Sequence, residues 1–165
     1  MHLNLPEEWA MLADDSRIWI WSSPGKLSES EVEQIETHLG QFVKSWTSHQ
    51  VALRAVSKVL FNHFVVVVLD QSVSTGASGC SIDALTHEVQ GLSQHLGLDL
   101  LDRQTFFFKK KDEVVTVKMS EVSDAVSDDL INIESLVFDT LIKTKKDLER
   151  SWVKPAKESW HARFF

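Results

Sequence analysis

The sequence predicts a ferredoxin-like α+β sandwich: a βαββαβ unit with an antiparallel sheet and two helices on one face, followed by a C-terminal helical extension. Two observations predict it. The order strand, helix, strand, strand, helix, strand over about residues 16–119 is that of the ferredoxin-like unit. Each of the two helices carries one apolar stripe, as a helix packed on a single sheet face must. No linker or repeat divides the chain, so residues 1–165 read as a single domain, with the extension over about 120–165 packed on the core.

The elements follow in order. Pro6 ahead of Glu7, Glu8 and Trp9 suits a first helical turn. RIWIWSS (17–23) is a strand of branched and aromatic residues stopped by Pro24 and Gly25. Ser28 and Glu31 fit a capping box, and Leu27 and Val32 a hydrophobic staple. Val32, Ile35, Leu39, Phe42, Val43 and Trp46 then recur at helical spacing. VALRAVSKVLF (51–61) and FVVVVLD (64–70) form an expected hairpin across Asn62-His63, because Asn tolerates the positive φ of a tight turn. The second helix carries Ile82, Leu85, Val89, Leu92 and Leu96, with Gly97 placed for a left-handed cap. TFFFKK (105–110) and EVVTVKM (113–119) are strands joined around Lys111-Asp112. A short helix near 120–130, a strand at 136–138 and a helix over about 144–152 complete the chain.

Strand alternation adds a second expectation. Trp19 and Trp21 point opposite to Ile18 and Ile20, and Val65 to Val68 are apolar on both faces. The sheet face away from the helices therefore needs a cover. The extension or a second copy of the chain supplies it, with Trp19 and Trp21 the expected interface of a homodimer.

Composition excludes several classes. Seventeen Lys and Arg against 24 Asp and Glu give a net charge of −7, which removes the general attraction to phosphate. RNA-recognition modules share this element order and Trp19 sits where a stacking aromatic belongs, but FVVVVLD lacks the basic and aromatic partner motif. No nucleic-acid partner is expected. The single cysteine forms no internal disulfide, and the acidic N-terminus is unlike a secretory leader, so a cytoplasmic location is expected. The apolar run 64–69 falls far short of the ~20 residues a membrane helix needs, so no membrane partner is expected.

Candidate sites are few. Cys80 stands at the expected start of the second helix, where the dipole favours thiolate and hence a nucleophile or redox sensor. Asp83 one turn on opposes that charge, and His87 lies ~10 Å along the helix, so a base would have to come from His161 or His63. The plainer reading is a small residue packed beneath the turn. Gly76, Ser78, Gly79 and Ser81 have the makings of an anion cradle, although Ser78 or Ser81 equally suits a helix cap. No P-loop is present, since Gly25-Lys26 is followed by Leu27. No histidine falls into a metal motif, and neither metal nor cofactor is expected. The aromatic tail 154–165 is expected to dock on the body, carrying His161 and Arg163 to a groove or merely to the rim of an apolar clamp.

GASGCSID (76–83), LIKTKKDLERSW (141–152) and SWHARFF (159–165) together resemble an uncharacterised bacterial protein family common in Bacteroidetes. Its members are often labelled ABC transporter ATPases, a label that the missing P-loop and missing LSGGQ-like signature argue against. The resemblance runs from about Ser16 to the C-terminus and implies a cytoplasmic bacterial protein, with no catalytic residue carried over. The function expected from the sequence is a small binding or interaction module that self-associates. A thiol enzyme or redox sensor built on Cys80 is the alternative.

Overall fold

A computed structural model describes residues 5–73 and 76–165. Met1–Asn4 and, within the turn before the second helix, Ser74 and Thr75 lie outside the described residues. The described residues form a mixed α+β fold with four α-helices and antiparallel sheets. No described helix is long and apolar enough to cross a membrane.

The first sheet contains β1 (Arg17–Ser22), β4 (Arg54–Leu60) and β5 (Phe64–Asp70) in the order β1-β5-β4. Between β1 and β4 run α1 (Glu29–Ser45) and a small ribbon of β2 (Thr47–Ser48) and β3 (Val51–Ala52). The capping box of α1 forms as the sequence requires: Ser28 Oγ accepts from the Glu31 N–H and Glu31 accepts from the Ser28 N–H at 2.7 Å. After β5 comes α2 (Gly79–Leu96), capped by Ser78 and closed by Gly97 at φ 64°. Leu53 interrupts the expected long strand: it is buried and its N–H bonds back to the Trp46 carbonyl, so 51–52 pair with β2 instead of β5. The β4–β5 turn is also shifted. Phe61 and Asn62, not Asn62 and His63, take the two positive φ values, because the His63 N–H closes the turn onto the Leu60 carbonyl.

The larger correction concerns the fourth strand. β6 (Thr105–Lys110), expected beside β1, opens a second sheet with β7 (Glu113–Lys118), β8 (Leu136–Phe138) and β9 (Val153–Pro155) in the order β7-β6-β8-β9. Phe106, Phe107 and Phe108 explain why. All three are buried, and consecutive strand residues face alternate sides, so β6 needs apolar cover on both faces. Phe107 packs with Phe64 and Phe138 against the first sheet, while Phe106 and Phe108 face a core that includes Val122 and Ala125 of α3 (Val122–Ser127) and the tail aromatics Trp160, Phe164 and Phe165.

β5 is accordingly buried on both faces. Val65, Val67 and Leu69 meet α1 and α2. Phe64, Val66 and Val68 meet Phe107, Phe138, Trp9, and Leu148 of α4 (Lys145–Ser151) with its following residue Trp152. Trp19 and Trp21, expected at a dimer interface, lie on the helix side: Trp21 is buried there and Trp19 packs edge-on against Trp46 at 5.8 Å. The second face is covered by the chain's own second sheet, which removes the reason for expecting a second copy on it.

Candidate functional site

The turn that carries Cys80 is organised around structure. The Ser78 hydroxyl caps α2 by accepting from the Ser81 N–H, and the Ser78 N–H is held by Ser48 Oγ at 3.1 Å. Ser81 donates its hydroxyl to the Thr47 carbonyl, and its own carbonyl accepts from the Trp46 indole at 2.9 Å. These bonds tie the turn to β2 and occupy the serines that an anion cradle would use. Gly76 is buried at φ 82° and Gly79 is exposed. Cys80 is exposed, contrary to the expectation of a packed thiol.

Among the described residues Cys80 does not meet a base either. Its neighbours one and two turns on, Asp83 and His87, are exposed. Leu100 donates its N–H to Ser93 Oγ and lines the same concavity as His161. The thirteen helical steps of α2 from Cys80 to Ser93 span roughly 20 Å, so His161 lies at the other end of the helix. His63 is at that far end too, since its carbonyl accepts from Ser23, next to the Ser22–Leu101 bridge. Among the described residues no group of His, Cys, Asp or Glu is placed to hold a metal ion.

At that far end the two sheets leave a cavity of about 110 Å³ at the seam between β1, the start of β6 and the tail. Its walls include Ile20, Trp21 and Ser22 of β1, Asp102 and Arg103 of the loop into β6, Thr140 and Leu141 after β8, and Trp160 and His161. The tail is positioned by ring packing. His161 stacks on Trp160 at 4.0 Å and meets the Phe106 ring edge-on at 4.7 Å, while the exposed Arg163 guanidinium lies 5.3 Å over Trp160. Thus the structure brings His161 to a cavity and leaves Arg163 on the outer face of Trp160.

The protonation state of His161 follows from its neighbours. The Ser159 hydroxyl donates to the Ala156 carbonyl, so toward His161 it accepts, and Nδ1 carries the ring proton at 2.8 Å. Nε2 is then a lone-pair acceptor. Burial pushes the imidazole down to about 4; nearby Asp139 works against this, and Lys154 and Arg163 reinforce it. Asp139 itself is pushed up by burial, but Lys154 at 2.8 Å, the Leu141 N–H and the Trp160 indole outweigh that and hold its carboxyl below the usual range.

Asp102 is the residue that the sequence reading missed. Its Oδ1 accepts from the Gln104 N–H at 3.1 Å, an ordinary turn contact, and that is how Asp reads in LDLLDRQ. Its Oδ2 is buried without a hydrogen-bond partner. The other such atoms among the described residues are two indole N–H groups and two serine hydroxyls, so Asp102 supplies the one orphaned carboxylate oxygen. An unpaired buried acceptor on a charged group is costly enough to demand an explanation.

His63 faces a second, open cleft with Lys26, Asp112 and Glu113. Its Nδ1 donates to the Ser23 carbonyl at 2.8 Å, and burial lowers its pKa. Comparison with family models, with curated proteins and with solved structures finds no match to this chain.

Proposed function

We propose that this protein is a non-catalytic binding module that takes a donor-rich cationic nitrogen group, a primary ammonium or a guanidinium, in the cavity at the seam of its two sheets. One observation carries the reading: the cavity is bordered by Asp102, whose Oδ2 is buried without a hydrogen-bond partner, and by His161, whose Nδ1 proton is committed to Ser159 so that Nε2 is a lone-pair acceptor. An ammonium brings three donors and a positive charge, which complements a carboxylate and an unprotonated imidazole nitrogen. The rings of Trp21, Phe106 and Trp160 in the same wall suit a cation as well. Of the neighbouring cations, Lys154 is engaged by Asp139, and Arg163 is stacked on Trp160. Arg103 is exposed at the rim, where it fits a carbonyl or carboxylate of the same ligand.

The first sheet with α1 and α2 is read here as a ferredoxin-like unit whose fourth strand has been diverted into the second sheet. That diversion is what leaves the outer edge of β1 beside the cavity unfilled.

The test is titration of the full chain with n-propylammonium and with guanidinium, followed by tryptophan fluorescence. Saturable binding is expected, weakened at least roughly tenfold in Asp102→Asn, while the thermal midpoint of that variant is unchanged because Asn keeps an oxygen to accept the Gln104 N–H. Absence of saturation with either cation would overturn the reading.

A further inference from the structure

Antiparallel pairing fixes which backbone groups of β1 face outward. Arg17, Trp19 and Trp21 turn their N–H and C=O toward β5, and Ile18, Ile20 and Ser22 turn theirs to the free edge. Two pieces of chain approach that edge. The segment after β8 pairs with its beginning, through the Ile18 N–H to Lys143 carbonyl bond of 3.0 Å and the Arg17–Thr144 bridge. The loop before β6 reaches its end, through the Ser22–Leu101 bridge. Between them stands Ile20, partly exposed, whose outward N–H and C=O have no partner among the described residues.

The gap opens into the cavity already described. A groove of about 490 Å³ runs along the same edge toward Asp15 and Arg17, and it shares Ile20, Arg103, Thr140 and Leu141 with the cavity. One continuous depression is therefore lined, in order, by Asp102, by Ile20 with its unpaired outward N–H and C=O, and by the apolar side chain of Leu141, which is 57% exposed.

Resting on the binding reading above, we infer that the ligand is the N-terminal end of a peptide, its α-ammonium beside Asp102 and a peptide unit paired with Ile20. A simple amine satisfies Asp102 and leaves Ile20 unpaired. A peptide supplies an ammonium and then N–H and C=O groups at strand spacing. Two strand residues span ~7 Å, so an ammonium level with Ser22 sets the second or third ligand residue opposite Ile20. Such a ligand runs antiparallel to β1, the same sense as the segment that already pairs with Ile18. The recognition combines strand addition at an open edge with capture of a terminal amine.

The experiment uses the ¹⁵N-labelled full chain and three probes: tetra-alanine amide with a free N-terminus, its N-acetylated counterpart, and n-propylammonium. The free peptide is expected to bind at least roughly tenfold tighter than n-propylammonium, and acetylation to cost roughly tenfold or more. Hydrogen exchange of the Ile20 amide is expected to slow on saturation with the free peptide and to stay unchanged with n-propylammonium. If n-propylammonium binds as tightly as the peptide and leaves Ile20 unprotected under both, the peptide inference falls and the binding reading stands. Equal binding of the acetylated peptide overturns recognition of the terminus, and binding of no probe overturns both readings. Concentration-dependent dimerisation that protects Ile20 without peptide would make a second copy the occupant and overturn the inference.

Discussion

At the N-terminal end of α2, Ser48, Ser78 and Ser81 are bonded to one another's elements, and the thiol of Cys80 is exposed with no base beside it among the described residues. At the C-terminal end Asp102 and His161 line one cavity, and Asp102 keeps an oxygen without a hydrogen-bond partner. The first region has the residue types of a site and the bonding of a structural joint. The second has an unremarkable loop sequence and the bonding of a site. Residue type marks what a position can do; unspent hydrogen-bonding capacity marks what it is free to do.

Acid should separate the two ends most strongly. His161 and His63 both lie at the cavity end, and burial lowers both pKa values. A histidine depressed in the folded state contributes stability that is complete above its unfolded pKa of ~6.5 and is lost as pH falls below it. For His161 the loss runs down to about 4. Resistance to urea is therefore expected to fall steadily as pH drops between these values, with amides of 160–164 exchanging faster before those in the first turn of α2. Equal acceleration at both ends would break the contrast.

Substitutions in the turn come next. Gly76→Ala places a side chain at φ 82°, with its Cβ 2.8 Å from the movable end of Gln71, so the backbone dominates the cost. A loss of about 1–2 kcal/mol is expected in urea unfolding, with n-propylammonium affinity unchanged. Ser78→Ala removes the cap and should cost about 1 kcal/mol by the same measurement, again without touching affinity. A loss of affinity in either variant would mean that the two ends are coupled. Smallest is Cys80→Ser, expected within about 0.5 kcal/mol of the parent because the side chain is exposed. In the parent chain, iodoacetamide should alkylate Cys80 without unfolding.

Much of the local structure was legible. The capping box at Ser28 and Glu31, the Gly97 cap, the turn at Lys111-Asp112 and the opposed faces of β1 each depend on residues within a few positions of one another. The His49-Gln50 turn was not, because both residues adopt positive φ values that their side chains do not advertise. The same holds for Phe61, held at φ 54° by packing against Phe138 and Trp152 at 5.1 and 5.8 Å. Of the cavity, His161 was legible as a candidate and Asp102 was not, since nothing local distinguishes a turn aspartate with a free oxygen from one without.

By itself the sequence determined where the two long helices begin and where the second ends, which faces of the strands are apolar, and that both faces of β5 require cover, because these are matters of spacing and nearest-neighbour hydrogen bonds. Only the tertiary structure decided that β6 covers β5 from a second sheet instead of extending the first. That choice depends on burying both sides of Phe106, Phe107 and Phe108 against residues tens of positions away. The open edge at Ile20 and the unpaired oxygen of Asp102 lie between segments far apart in the chain, and no short stretch of chain encodes a vacancy between its distant parts.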